Sequence, residues 1–319
     1  MPAFRKTLVT TFALLLSQAS GASAFGGPDW VSAYFRDNPL AGTVWTGDGR
    51  QADDAALEAA IAKATFIAIG ETHNNPDHHR LQARIVGLKA ATGARPAIVW
   101  EMVPAGLQPA LDKADETGAA ALGPALDWEK RGWPDWSIYQ PVAQAALEAG
   151  LVMKAGDLDR DVIRAIGRNG AAALDPAQAA RIGLDVPLGE EAKAALQSEL
   201  KDSHCGLLPE NAIPAMMTVQ QARDGALAAA MLDTGDAGAI LIAGAGHVRK
   251  DRAAPAILEH KAPGTQVLTI AFLELGESKD IASYLEDAPY DFVVFTPKAD
   301  TADHCAELKK AMEKKQSAK

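Results

Sequence analysis

Gly70-Glu71-Thr72-His73 and Gly244-Ala245-Gly246-His247 repeat one figure: an apolar run, then a glycine, then a histidine three residues on. A buried strand ending this way sets an imidazole at the carboxyl edge of a sheet, where α/β proteins hold their ligands. An imidazole there can act as a general base, a metal ligand or a cation near neutral pH. Carboxylates end the neighbouring apolar runs as well: Glu71 itself, Glu101 and Asp157. In a parallel sheet these ends share one edge, so two imidazoles and three carboxylates are expected around one crevice. Glu71, His73, Glu101 and His247 would suit a divalent-metal hydrolase, or an esterase in which His73 is the general base and the carboxylates orient it. Singly, each could be a cap or loop partner; together they are more charge than a core tolerates unpaired.

Three further groups extend the set. His78 and His79 follow Asn75-Pro76, a cap and first-turn proline, which places them beside unpaired backbone N–H groups suited to anions. The alternative for His79 is packing or capping. Trp128, Trp133, Trp136 and Tyr139 fall within one short segment, enough flat surface to line a planar ligand or simply to fill a core. A phenolate such as that of Tyr139 can hold ferric haem iron. Arg249, two residues after His247, could clamp a carboxylate in a two-pronged hydrogen bond, whereas Lys250 and Arg252 read as a solvated basic turn.

The elements that must position these groups follow from hydrophobic period. Runs at 65–70, 96–101, 151–157, 239–244, 266–273 and 291–295 are rich in Val, Ile and Ala without polar alternation, as in buried parallel strands. Between the early ones lie helical patterns. Residues 53–64 place Leu57, Ile61 and Ala64 on one face behind an Asp53 or Asp54 cap; a second helix opens at Asn75-Pro76 and stops at Gly93. Strand, helix, strand implies right-handed crossovers and an α/β fold with a mostly parallel sheet flanked by helices. From 160 to 234 the strand signal vanishes, and a helix over 211–232 places Met216, Val219, Arg223 and Leu227 along one side. The division expected is an α/β domain of 25–159 and 235–319 with a smaller, inserted all-helical subdomain at 160–234.

Residues 1–24 read as a secretory signal peptide: a basic start at Arg5-Lys6, an uncharged stretch to Ser20, and Ala22-Ser23-Ala24 before the cut. No later run approaches the roughly 20 apolar residues of a membrane span, and no cysteine near the cut forms a lipobox, so a soluble periplasmic protein is expected. A formal net charge of −10 argues against a nucleic-acid surface. The only cysteines, Cys205 and Cys305, each follow a histidine. An even number in an oxidising compartment favours a disulfide; a thiolate metal site is the alternative.

The stretch Gly70-Glu-Thr-His-Asn-Asn-Pro-Asp-His-His-Arg-Leu-Gln82, then Glu101-Met102, His204 to Pro209, Gln221-Ala-Arg-Asp224 and Gly244-Ala-Gly-His-Val-Arg249, resembles the ChaN-like haem-binding proteins. That family is related to the wider Tiki, TraB and erythromycin-esterase group. The resemblance implies haem held between an α/β domain and a smaller helical one, in a homodimer enclosing a face-to-face haem pair, within haem or iron uptake that involves an outer-membrane transport system. It also implies iron ligation by tyrosine, here Tyr139, assisted by a histidine of the partner copy; His73, His78 and His247 are the candidates. Trp133 and Met216 would cover the porphyrin, and Arg249 with the His78-His79 turn would meet its propionates.

Overall fold

The computed structural model describes residues 25–26, 29–286 and 288–317; the predicted signal peptide lies outside the described residues. Eight strands form one sheet: β1 (Val44–Thr46), β2 (Gln51–Ala52), β3 (Phe66–Glu71), β4 (Ala97–Pro104), β5 (Met153–Asp157), β6 (Ala239–Gly244), β7 (Val267–Glu274) and β8 (Phe292–Thr296). Their order across the sheet is β2-β1-β8-β7-β3-β6-β4-β5. Strands β3 to β8 pair in parallel, and β1 joins β8 and β2 antiparallel at one edge. The α/β class and mostly parallel sheet match the sequence expectation. The edge pair β1–β2 does not follow from it, because strands so short carry no period.

The principal helices are α1 (Asp54–Lys63), α2 (Pro76–Ala91), α3 (Trp136–Glu148), α4 (Arg160–Asn169), α5 (Glu190–Ser203), α6 (Ile213–Leu232), α7 (Ala254–Lys261) and α8 (His304–Ser317). Asp53 caps α1 by accepting from the Ala56 N–H at 2.8 Å. Asn75 caps α2 through the Asp77 N–H at 3.0 Å, with Pro76 at the first position where no intrahelical donor is needed.

Alternate strand residues face opposite ways. Ile67, Ile69, Ile98, Trp100, Ile240 and Ile242 pack under α1, α2 and α3, whereas Phe66, Ala68, Val99, Leu241 and Ala243 pack under α6 and α7. Residues 160–234 are helical without a strand, and Ile166, Ile182, Ala222 and Ala226 form a small core of their own there. The last turns of α6, through Leu227, Ala228 and Met231, join the sheet's second core.

Strand β4 runs past the expected end to Pro104, with a register irregularity against β5 between Trp100 and Pro104. Cys205 and Cys305 form a disulfide, Cα atoms 5.5 Å apart, closing a separation of 100 residues. In the chain-entropy account such a loop contributes about 4–5 kcal/mol. No helix among the described residues is long and apolar enough to cross a membrane.

Candidate functional site

Because β3 and β6 run in register to Glu71 and Gly244, and β4 borders β6 on its other side, the carboxyl ends of the three strands meet. Side-chain alternation then sends Glu71 toward α2 and α3, and Glu101, lying between Trp100 and Met102, toward α6. The two carboxylates build different surroundings.

Glu71 is buried, and one of its oxygens, Oε1, accepts from the Tyr139 hydroxyl at 2.6 Å and from His73 Nδ1–H at 2.9 Å. Its other oxygen, Oε2, accepts from Gln82 Nε2 at 2.5 Å and stands 3.2 Å from His79 Nδ1. His79 is also buried, and both its nitrogens face acceptors: Gln82 Oε1 beside Nδ1 at 2.9 Å, the His73 carbonyl beside Nε2 at 3.1 Å. Satisfying both requires the imidazolium form. Burial opposes charge on His79 and on Glu71. Their mutual attraction outweighs it, raising the His79 pKa and holding Glu71 well below the usual carboxylate range.

His73 is the imidazole that reaches solvent, its side chain 36% exposed. With Nδ1–H committed to Glu71, Nε2 carries the free lone pair; its nearest acidic neighbour is Glu101 Oε2 at 3.9 Å. The Trp133 ring stands edge-on, 5.0 Å between centroids. Burial lowers the affinity of this ring for a proton, but Glu101 and then Glu71 overcome that and raise its pKa above 6.5. Gly244 makes room for it: a Cβ there would lie 3.1 Å from His73 Nε2. Gly70 plays a matching part under the following turn, since its Cβ would meet Val248 at 2.6 Å.

On the other face, Glu101 Oε2 accepts from the Gly244 N–H at 2.7 Å, and Oε1 from Arg223 Nη2 at 3.0 Å. Arg223 also grips Asp157 through Nη2 at 2.8 Å and Nε at 3.1 Å. His247, buried, has Asp224 at 2.6 Å from Nδ1 and Glu101 at 3.2 Å from Nε2. Burial disfavours its charge, yet Glu101 and Asp224 lift its pKa to about 10. Burial leaves Asp224 above its ordinary value despite His247. Gln220 Nε2 reaches the same ring at 3.2 Å.

The structure thus brings Glu71, His73, Glu101, Asp157 and His247 to one edge. Other assignments change. Tyr139 is fully buried behind His73, its hydroxyl donated to Glu71, and burial plus that carboxylate push its pKa far up; the phenolate an iron would need is suppressed. His78 is fully buried and neutral: Nδ1 accepts from the Thr72 N–H at 2.8 Å, Nε2–H donates to Thr296 at 2.7 Å, and burial lowers its pKa to about 3. Both rings are enclosed by protein, His78 by Thr296 and Phe272 and His79 by Glu71, Gln82 and the Tyr139 ring. Arg249 is buried with its fork on Asp251, at 3.0 and 2.9 Å. Arg252, expected in solvent, is buried against Glu199; Lys250 is exposed as expected and paired with Asp291.

Of the aromatic segment, Trp128, Trp136 and Tyr139 are core, and half-buried Trp133 borders His73. Half-buried Met216 lies on the α6 stripe that carries Gln220 and Arg223 one and two turns on. Gln82, Gln220 and Asp224 have roles that the sequence reading did not assign. Their signal was polar side chains inside otherwise apolar helix faces.

Chemically, the site offers one imidazole nitrogen with a free lone pair, backed by a buried carboxylate, beside a closed ring of mutually paired charges. Among the described residues no three His, Cys, Asp or Glu side chains are disposed to hold a metal ion. A separate groove of about 750 Å³ lies at the opposite edge, lined by Lys63, Phe66, Gln266 and Val267 at the strands' amino ends.

A family model described as haem-binding uptake, Tiki superfamily, ChaN, matches residues 57–258. No curated protein matches the sequence. Among solved structures, ChaN of Campylobacter jejuni with cofacial haem binding is similar at a TM-score of 0.63 and 19% identity, covering 79% of this chain and 95% of that one. The type III effector HopBA1 gives 0.45 and 16%, covering 76% and 92%. The erythromycin esterase EreC, in its open conformation, gives 0.40 and 16%, covering 81% and 82%.

Proposed function

Because the chain belongs to the ChaN family of haem-binding uptake proteins in the Tiki superfamily, we propose that it binds haem at the carboxyl edge of its sheet, with His73 Nε2 as the iron ligand. The observation that carries this reading is that His73 is the site imidazole that reaches solvent, with Nδ1 held by Glu71 and no hydrogen bond at Nε2. The donor set fits: imidazole is an established axial donor to haem iron, and a carboxylate on the distal nitrogen raises its basicity. Glu71 supplies that carboxylate, and Tyr139, Gln82 and His79 hold it in place. Haem supplies a Lewis-acidic iron. Trp133 and Met216 would supply apolar surface beside it, and Arg223, a fifth exposed while holding Glu101 and Asp157, would offer its open edge to a propionate.

Iron held at His73, which reaches solvent, would leave haem surface for a second copy to cover, which fits a homodimer. The disulfide supports residence in an oxidising compartment, and with it a role in haem or iron uptake through the periplasm alongside an outer-membrane transport system. Haem then lies between the α/β domain and the 160–234 helices, since the crevice has the β3 loop on one side and α6 on the other.

Ferric haem titrated into the purified chain should give a saturable Soret shift. His73→Ala should abolish the shift at stoichiometric haem, and Tyr139→Phe should leave its position unchanged. An unchanged spectrum in His73→Ala refutes the assignment.

The Glu71–His73 pair also supports a second reading, an esterase in which His73 Nε2 takes a proton from water. Ester hydrolysis lost in His73→Ala, with no haem spectrum in the wild type, would favour it. The divalent-metal form of that reading fails on geometry, because the carboxylates that would bind the ion are occupied by His79, His247 and Arg223.

A further inference from the structure

The chain leaves β8 as a strap along the edge that carries the site. Thr296 Oγ1 accepts from His78 at 2.7 Å, the Pro297 carbonyl from Asn75 Nδ2 at 3.0 Å, and Asp300 from Asn74 Nδ2 at 2.5 Å. The Ala299 N–H donates to Glu274 at 2.9 Å, and Lys298 bridges to Tyr34. Asn74 is the residue after His73. Beyond Asp300 the strap reaches α8, where Cys305 is bonded to Cys205 and His304 Nε2 donates to the Ser203 carbonyl at 3.3 Å. Cys205 lies in the connection between α5 and α6, and α6 brings Gln220 and Arg223 to the crevice. The disulfide therefore ties the helical wall to the strap, and the strap's hydrogen bonds to Asn74 and Asn75 carry that tie on to the loop bearing His73.

That wall has few other ties. Helix α5 buries only Leu196 and Leu200, residues 204–212 include none that is buried, and within 213–221 only Ile213 is. The Lys201–Glu210 pair is exposed and holds weakly. Glu199, on Arg252, is a polar anchor of α5 to the sheet side. Segments with so little burial open locally without the core unfolding.

We propose that the Cys205–Cys305 disulfide latches this strap, holding α5 and the first turns of α6 closed on the His73 crevice, so that its reduction opens the site. A dithiol donor supplies two electrons and two protons: the Sγ–Sγ bond breaks, Cys205 and Cys305 become thiols, and the donor leaves as its own disulfide. The sheet keeps its core, since neither cysteine belongs to it. The latch itself rests on the strap contacts; only the identity of the ligand it retains rests on the haem reading.

Hydrogen–deuterium exchange on the full chain, oxidised and after dithiothreitol, tests the latch without haem. Reduction should speed exchange at 190–221 and 297–304 by about tenfold or more, leaving β3 and β6 protected. Cys205→Ser with Cys305→Ser should reproduce this. Asn74→Ala, with the disulfide intact, should loosen 297–304 alone. Unchanged exchange at 190–221 overturns the latch, and so does loss of protection in β3 and β6, which would make the bond a support of the whole fold. Haem dissociation should quicken about tenfold in the reduced chain. If the oxidised chain takes up no haem, the haem reading falls while the exchange result still decides the latch.

Discussion

The two glycine-histidine figures have the same spacing and opposite fates. After Gly70 the chain leaves the sheet in a loop capped by Asn75, and His73 keeps one nitrogen on Glu71 and one toward solvent. After Gly244 it winds into a short 3-10 turn, Ala245–Val248, which folds His247 back beneath α6, between Asp224 and Glu101. One imidazole is held by a carboxylate at one nitrogen and reaches solvent with the other; the second is a cation fixed inside a ring of charges. A histidine at a strand end thus becomes a site or a clasp according to whether the next turn runs outward or back over the sheet.

The sharpest test of that contrast is His247→Ala. It leaves Asp224 and Glu101 buried with less compensation, so urea unfolding at neutral pH should show a loss of about 3–5 kcal/mol. The Soret band of added haem should survive. A stable variant that has lost haem would reverse the roles given to the two histidines.

Glu71→Gln keeps the shape but removes the charge behind His73. Haem affinity should fall by about 10- to 100-fold, the range typical for loss of a carboxylate behind a metal-bound histidine. The same change strands the His79 cation and should lower stability, read in the same urea experiment.

The contrast extends to pH. On the proposed assignment iron needs His73 with Nε2 deprotonated, and the pKa of that ring is raised above 6.5. Haem affinity should therefore climb about tenfold per unit as pH rises toward that pKa, then level off above it. The midpoint should move down in Glu71→Gln, which deletes one of the charges responsible. His247 works in the opposite sense on stability. Its pKa is about 10 when folded against 6.5 ordinarily, so its contribution is complete below 6.5 and is lost as pH climbs toward 10. Affinity measured across about pH 5 to 9 beside urea midpoints separates the two histidines.

The smallest effect is expected from Gly244→Ala. Its Cβ would crowd His73 Nε2 at 3.1 Å, costing about 1 kcal/mol in stability and moving the ring enough to shift the haem spectrum. A variant indistinguishable from the wild type would show that the ring has slack.

Much of this was legible because it is local. An all-apolar strand announces its own end, so Glu71, Glu101 and Asp157 could be placed on one edge from the order of strands and helices alone. The first helix's cap was narrowed to Asp53 or Asp54, of which the structure takes Asp53, and the Asn75 cap was legible for the same reason. His78, His79 and Arg249 were not, since the direction of a side chain from a helix or turn depends on what packs over it. For His78 that is Thr296, more than two hundred residues away in sequence; for Arg252 it is Glu199 on α5.

Sequence by itself determined the α/β order, the edge on which the polar residues gather and the family, and favoured the disulfide over a thiolate metal site. Tertiary structure decided which of them reaches solvent. Whether Tyr139 is a ligand or a prop, and His247 a site or a clasp, depends on partners brought together by packing, because a buried group's charge and free lone pairs are set by its neighbours and not by its own chemistry.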